Sequence, residues 1–402
     1  MDPFSIRLQT IIVFVLLMTI LPLLGKKAET KDRNILKKRK KEKPFWNQEV
    51  VWIIAIFTIL SGLRYDLGTD YLGYLRDYTT GVEAAGRGHE FLFHQISKIF
   101  YDFKISPIIY FGLWAFIQIF FFLLAFKDDR FIYPFLLFFL FSNGTYDNWM
   151  NGIRQDLAAC IWIYSVRFIE RNNLKAYLLF AVIAYFFHRS SIFLVIFYPL
   201  LRNGKDYFES ILLQISLFVG AIVLKQFVGS YLTMIDSVFS FYTGIMGGED
   251  YLYEHYTAEE ALSQINEHNG GGTGLAVIFK GCIYMLIMAY SKKMKAFYNS
   301  KWFVIIYTFF FIGAFFEYLI PDGAINLRRP FRYFVYFLTI MLAYFVNYLF
   351  KNRKLNKNYS PIADIVIIGF IGLFFLNRIT CSLDEHMMFQ FIFQVNDPIT
   401  HF

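Results

Sequence analysis

Charge is scarce in this sequence. Asp, Glu, Lys and Arg supply only 17% of its 402 residues, where ordinary soluble domains carry about 25%. A chain so poor in charge cannot clothe a water-facing surface of its size, which excludes a string of soluble domains. Cysteine is nearly missing too. The three residues Cys160, Cys282 and Cys381 have no metal-ligand spacing. Cys160 and Cys282 fall inside apolar runs and Cys381 is expected to be exposed, so no disulfide framework is indicated. No repeat at a fixed period is visible. A phosphate-binding loop is absent as well. Gly270-Gly271-Gly272-Thr273-Gly274 has neither a preceding strand nor the Lys-Ser/Thr ending that such a loop needs, and reads as a flexible lead into the next helix. The first apolar run, Ile6 to Leu24, lacks a basic start. Gly25-Lys26-Lys27 stands where a cleavage site would be, so the run is expected to stay as a first helix.

What the chain does have is apolar length. Hydrophobic residues make up 57%. They fall into many runs of roughly 17–22 residues, the length that crosses a bilayer core as a helix. The expected fold is all-α, a single polytopic bundle over residues 1–402 with about twelve transmembrane helices. The spans are placed at 6–24, 48–63, 107–126, 130–143, 153–170, 174–188, 189–201, 209–229, 274–290, 302–320, 328–350 and 361–378. The segments 130–143 and 189–201 are short for a crossing, as tilted or partial helices are.

The net charge of +8 does not point to nucleic acid, because the basic residues sit in short clusters between apolar runs. That is how cytoplasmic anchors are arranged. Residues 26–43 hold ten Lys or Arg and assign the 26–47 loop to the cytoplasm. Alternation then puts the basic links at 127–130, 171–175, 202–205, 292–301 and 351–357 on the same side, and both termini outside. Two large outer loops follow, 64–106 and 230–273. The second contains an acidic stretch, 249–268, whose spacing matches no metal template. It is expected to be a solvated lid.

Arginines lie on the outer side, where the charge rule disfavours them. Arg64, Arg154, Arg189, Arg328, Arg329 and Arg332 all stand at or just inside outer helix mouths. One alone would be read as snorkelling to headgroups or pairing with a local carboxylate. As a set they suggest a site. Four clusters carry them. In Arg64-Tyr65-Asp66-Leu67-Gly68-Thr69-Asp70-Tyr71, two carboxylates meet an arginine where an apolar helix opens into a loop. Partial burial there raises a carboxylate toward general-base range, although helix capping also explains an Asp after Gly-Thr. In Asn151-Gly152-Ile153-Arg154-Gln155, residues 151, 154 and 155 are spaced to share one helix face. Such a donor-rich face suits phosphate or sugar oxygens, or else interhelical hydrogen bonds. His188-Arg189-Ser190-Ser191 lies between runs too close for a real loop, so the backbone there is broken or tightly turned. In Arg328-Arg329-Pro330-Phe331-Arg332, Pro330 suits a first helical turn and residues 328 and 332 face the same way. Guanidinium groups at a helix mouth fit a diphosphate without a metal. Tyr65, Tyr71, Tyr74, Tyr146 and Trp149 are candidate platforms for sugar faces, or members of an interfacial belt.

These four elements, in this order between about residue 50 and residue 350, resemble the EpsG family of bacterial membrane proteins. The elements that carry the likeness are Arg-x-x-x-Gly-Thr-Asp-Tyr at 64–71, Asn-Gly-Ile-Arg-Gln at 151–155, His-Arg-Ser-Ser at 188–191 and Arg-Tyr-Phe at 332–334. That family is similar to the Wzy-type polymerases of exopolysaccharide, capsule and O-antigen synthesis. The long basic link at 26–43 is not part of that pattern. The resemblance implies a glycosyltransferase in the bacterial cytoplasmic membrane. It would join undecaprenyl-pyrophosphate-linked oligosaccharide repeat units at the outer face, and a chain-length regulator is a compatible partner. Neither metal nor other cofactor is expected. A base must take the proton of the attacking hydroxyl, and Asp70, then Asp66, then His188 are the candidates. Positive charge must meet the leaving pyrophosphate. That falls to Arg154, Arg189, Arg328, Arg329 and Arg332, with Arg64, Tyr71, Asn151 and Gln155 as further substrate contacts. Two rivals stand beside this function. One is a transferase that adds single sugars from a lipid phosphate. The other is a transporter of the lipid-linked glycan, against which count the few midplane charges (Lys225 and Lys280) and the lack of repeats.

Overall fold

The computed structural model describes residues 3–39, 44–81, 90–227, 263, 275–321, 328–355, 361–382 and 387–395. The fold is all-α apart from one two-stranded ribbon, and the described residues form sixteen α-helices. Helix occupies every expected span, with one correction and one refinement. The expected break after residue 24 does not occur. Helix α1 runs from Pro3 to Arg39, so most of the expected 26–47 loop continues the first helix. Gly25 does not end it because it is a contact point: a Cβ there would lie 3.1 Å from the backbone of Tyr133. Lys26 and Glu29 then pair one turn apart at 2.6 Å and carry the helix onward. The segments 130–143 and 189–201 are not continuous α-helices. Each begins as a 3₁₀ stretch, Lys127–Ile132 and Arg189–Ile196, and finishes as a short α-helix.

Four helices have the length and composition to cross a membrane: Phe4–Lys31, Pro107–Ala125, Lys301–Leu319 and Arg329–Arg353. Others are apolar but shorter, such as α2 (Gln48–Leu63). The expected outer loop 64–106 is itself largely helical, with α3 (Tyr71–Thr79) and the amphipathic α4 (Phe91–Asp102). The loop 230–273, its acidic stretch and the glycine run at 270–274 fall outside the described residues, Ser263 excepted.

The chain divides into two compact units. Unit 1 is Met1–Arg167, Lys175–His188 and Leu342–Phe402; unit 2 is Phe168–Leu174 and Arg189–Met341. In a bilayer, apolar side chains gain little by leaving lipid, so close packing and small residues hold helices together. Unit 1 shows this where α2 crosses α5 (Pro107–Ala125). A Cβ on Gly62 would meet the Ile108 carbonyl at 2.5 Å and the Gly112 Cα at 3.2 Å. Around the crossing, Phe14, Phe57, Phe141, Tyr146 and Trp149 form one buried aromatic cluster. In unit 2 the α14 helix (Lys301–Leu319) plays the same part. A Cβ on Gly313 would lie 2.6 Å from the Phe334 carbonyl. On a link expected inside, Lys295 pairs with Asp206 at 2.7 Å. Burial pulls its ammonium below the usual lysine range while Asp206 opposes that pull. All three cysteines are free; Cys160 is buried, but Cys282 is exposed along with Cys381, because an apolar run in lipid can turn a side chain outward.

Candidate functional site

The first expected cluster begins where α2 ends. Leu63 is the last helical residue, and the final carbonyls of a helix have no partner within it. Arg64 supplies one. Its Nη1 donates to the Ser61 carbonyl at 2.5 Å and its Nη2 to the Met150 carbonyl at 3.4 Å. Met150 is close to the end of α7 (Thr145–Asn151), so one guanidinium staples two helix C-termini, the ends where a cation is favoured. Gln118 donates to the neighbouring Trp149 carbonyl at 3.1 Å, and Arg378 of α16 (Pro361–Cys381) pairs with Asp147. The short helix α7 is therefore pinned at both sides.

Arg64 is only 1% exposed and lies over the rings of Tyr71 and Phe111. Burial lowers its pKa from the usual arginine value, and an arginine stays charged through such a shift. Tyr71 stacks on Phe111 at 4.8 Å. Its phenol is pushed up by burial, partly offset by Arg64. Expected to touch substrate, Arg64 and Tyr71 are instead packed inside. Tyr65, Tyr146 and Trp149 are buried likewise, which leaves Tyr74 as the half-buried member of the expected sugar platforms.

The second cluster locks onto the first. The Asn151 Oδ1 accepts from the Asp70 amide at 2.9 Å and from the Thr69 hydroxyl at 3.1 Å. Gly68 permits this with a φ of +91°, and a Cβ there would stand 3.0 Å from that same oxygen. Thus Gly68-Thr69-Asp70 and Asn151-Gly152 form one joint. Asn151→Leu is expected to remove both bonds at a cost of about 1–3 kcal/mol. Thermal unfolding, with hydrogen exchange at the Asp70 amide, would detect it. Asp70 occupies the N-cap position of α3, yet its carboxylate makes no capping bond. It is exposed, as is Asp66, whose φ of +51° is a left-handed backbone for a residue other than glycine.

One turn beyond the joint, Arg154 leaves the start of α8 (Ile153–Glu170). It pairs with Glu90 at 2.8 Å and reaches over the rings of Tyr74 and Phe93 at 5.7 and 5.8 Å. The other oxygen of Glu90 faces His188 Nε2 at 3.7 Å. Tyr74 joins the group by a hydrogen bond with Arg154. Its phenol is raised by burial first, with Glu90 and Asp70 adding to the rise and Arg154 opposing it. Asp70, Tyr74, Glu90, Arg154 and His188 therefore form one electrostatic neighbourhood within unit 1. Gln155, the next residue along, is buried. Glu90 was not among the expected residues. Its signal was a carboxylate immediately before an amphipathic helix, which is ordinary helix-start chemistry and gives no hint of a partner sixty-odd positions away.

The remaining arginines belong to unit 2. Ser190 and Tyr333 are hydrogen bonded at 2.7 Å, so the His-Arg-Ser-Ser and Arg-Tyr-Phe elements meet, with Arg189 and Arg332 as the chain neighbours of the bonded pair. Arg329 is exposed. Arg328 repeats the Arg64 arrangement: its Nη2 donates to the Ile320 and Glu317 carbonyls at 2.8 and 3.3 Å, at the end of α14. In the same unit Lys280 and Tyr284 both bond to the Glu317 carboxylate, which absorbs the apolar-run lysine noted in the sequence. Among the described residues no group of His, Cys, Asp and Glu is arranged to hold a metal ion.

Compared with known proteins, residues 50–392 match the family model described as the EpsG family. No curated protein and no solved structure gives a significant match.

Proposed function

The chain belongs to the EpsG family, and from that premise we propose that this polysaccharide polymerase-like membrane protein joins undecaprenyl-pyrophosphate-linked repeat units at the outer face of the bacterial cytoplasmic membrane. The observation that carries the proposal is the joint of residues 68–70 with residue 151, which puts the Arg154–Glu90–His188 group beside Asp70. A departing diphosphate needs a cation that is fixed before reaction and not fully enclosed. Arg154 meets that need, with its side chain 26% exposed. The attacking hydroxyl needs a base in reach. Asp70 remains the first choice, because it is exposed and its carboxylate is not spent on the helix cap. Asp66 and His188 follow.

In this mechanism the hydroxyl oxygen of the incoming repeat unit attacks the anomeric carbon of the growing chain. Its proton passes to the base. The glycosyl–phosphate C–O bond breaks, and its electron pair leaves on the pyrophosphate, where Arg154 meets the added charge. Arg189, Arg329 and Arg332, expected as further contacts for anionic oxygens, lie in unit 2, while Arg64 and Arg328 donate to carbonyls at helix ends. Holding two lipid-linked chains in register lowers the barrier further.

Purified protein in liposomes, given lipid-linked repeat units, is expected to yield a ladder of products. Asp70→Asn is expected to abolish the ladder while leaving the unfolding temperature unchanged, since the carboxylate is exposed. A single added sugar would identify the single-sugar transferase instead, and transbilayer movement without bond formation would identify a transporter. Wild-type chain growth from both Asp70→Asn and His188→Gln would remove these residues as bases.

A further inference from the structure

Glu90 is an expensive residue where it stands. Its side chain is only 6% exposed, and a buried carboxylate demands a partner. It has Arg154 on one oxygen and His188 facing the other. Its immediate neighbours are apolar: Phe91 packs against Phe186, and Phe93 is fully buried against Trp114. Arg154 differs in one respect from the buried arginines of unit 1. Arg64, Arg130 and Arg378 are each 1% exposed and Arg167 is 5% exposed, whereas about a quarter of the Arg154 side chain is accessible. So the one cation of this group that an outside anion can reach already holds an anion of the protein's own.

Resting on the polymerase reading of this site, we infer that Glu90 is a placeholder for the substrate's diphosphate: it occupies Arg154 in the empty protein and yields that guanidinium when the lipid-linked diphosphate arrives. The exchange has a consequence for His188. Once Arg154 turns to the diphosphate, the Glu90 carboxylate still faces the His188 imidazole. A carboxylate relieved of its arginine favours the protonated imidazole. Substrate arrival therefore makes His188 a better proton acceptor at the moment one is required. Glu90 touches no reacting atom in this scheme and is a positioning residue. The device also spares the empty protein from presenting an uncompensated cation at an apolar helix mouth.

The ligand chemistry is a diphosphate, and it has two sources, a free ion or a lipid headgroup. Binding of inorganic pyrophosphate and of undecaprenyl pyrophosphate to the purified full-length protein separates them. Glu90→Gln removes the competing charge but keeps size and hydrogen bonding. It is expected to tighten undecaprenyl pyrophosphate binding about tenfold, and to lower both KM and kcat in chain growth. A residue that merely holds the fold would not tighten binding when mutated. Inorganic pyrophosphate is expected to show the same sign with weaker affinity; equal affinity for both would assign the site to free diphosphate. Glu90→Gln in an Arg154→Ala background is expected to add no tightening, since the competition has lost its object. Glu90→Asp, which keeps the charge on a shorter arm, serves if the glutamine variant fails to fold and is expected to tighten binding less. Unchanged or weaker binding in the folded glutamine variant, or in the folded aspartate variant where it stands in, overturns the placeholder. Wild-type protein that makes no polymer, with tightening still present, overturns the polymerase function and leaves the exchange standing.

Discussion

Replacing Arg154 by alanine is expected to slow chain growth by about 10²–10³, as does the loss of one fixed donor at a centre of developing charge. The pyrophosphate gains charge as its bond to the sugar breaks. A cation held at the helix mouth strengthens its contact through that step, so the loss falls on kcat more than on KM. Arg154→Lys is expected to recover only part of the rate, because an ammonium cannot present two parallel donors to a phosphate edge. Alanine at this position also strands Glu90, a buried carboxylate, without its arginine. The control is the double variant with Glu90→Gln, in which no buried charge is left over. If the double variant grows chains at the wild-type rate, the single variant was failing in its fold and Arg154 has no part in the chemistry. Product ladders, scored against the amount of folded protein, decide it.

The second large effect is structural. Gly62→Val is expected to destroy the folded protein. The added Cβ would stand 2.5 Å from the Ile108 carbonyl, and that obstacle is backbone, with no flexible end to swing aside. Helix α2 would have to move away from α5, giving up the close contact that associates helices where lipid is as apolar as they are. Arg64 follows Gly62 by two residues. Any shift of α2 withdraws its guanidinium from the Ser61 and Met150 carbonyls and loosens the helix that presents Asn151. Gly112→Ala is the matched control. Its Cβ would meet Thr58 at 3.7 Å, an ordinary contact, so the variant is expected to fold and work. Extraction in mild detergent, followed by size-exclusion profile and unfolding temperature, separates the two. A monodisperse Gly62→Val protein with unchanged unfolding temperature would count against the close crossing.

Much of the secondary structure was legible. Runs of apolar residues with few charges have no stable form in lipid other than helix, and all twelve expected segments hold helix. Local rules failed where a helix end is decided by a neighbour. Gly25 reads as a stop, but it lets α1 pass close to Tyr133 and the helix continues to Arg39. The ribbon of β1 (Arg64–Tyr65) and β2 (Gln390–Phe391) gave no signal at all. Two residues per strand are too few to show alternation. The pairing is fixed by Gln9 and Thr10 of α1, which bond to the Phe389 backbone at 3.0 and 2.8 Å.

The sites divide in the same way. That Gly68-Thr69-Asp70 and Asn151 matter could be read from residue type and position. That they touch could not. Arg64 and Arg328 look like substrate arginines because each stands at the outer mouth of an apolar helix. The same position is where unpaired carbonyls await a donor, and both guanidinium groups donate to such carbonyls.

By itself the order of apolar and polar residues settled that this chain is helical and which groups stand at the helix mouths, because burying an unpaired backbone in lipid costs too much for any other outcome. Only the tertiary structure decided which cations face one another's partners. Pairing Glu90 with Arg154 and His188 depends on three helices brought together from distant parts of the chain. Nothing in the spacing of residues along one helix carries that information, since charge pairing acts through space and falls off within a few ångströms of contact.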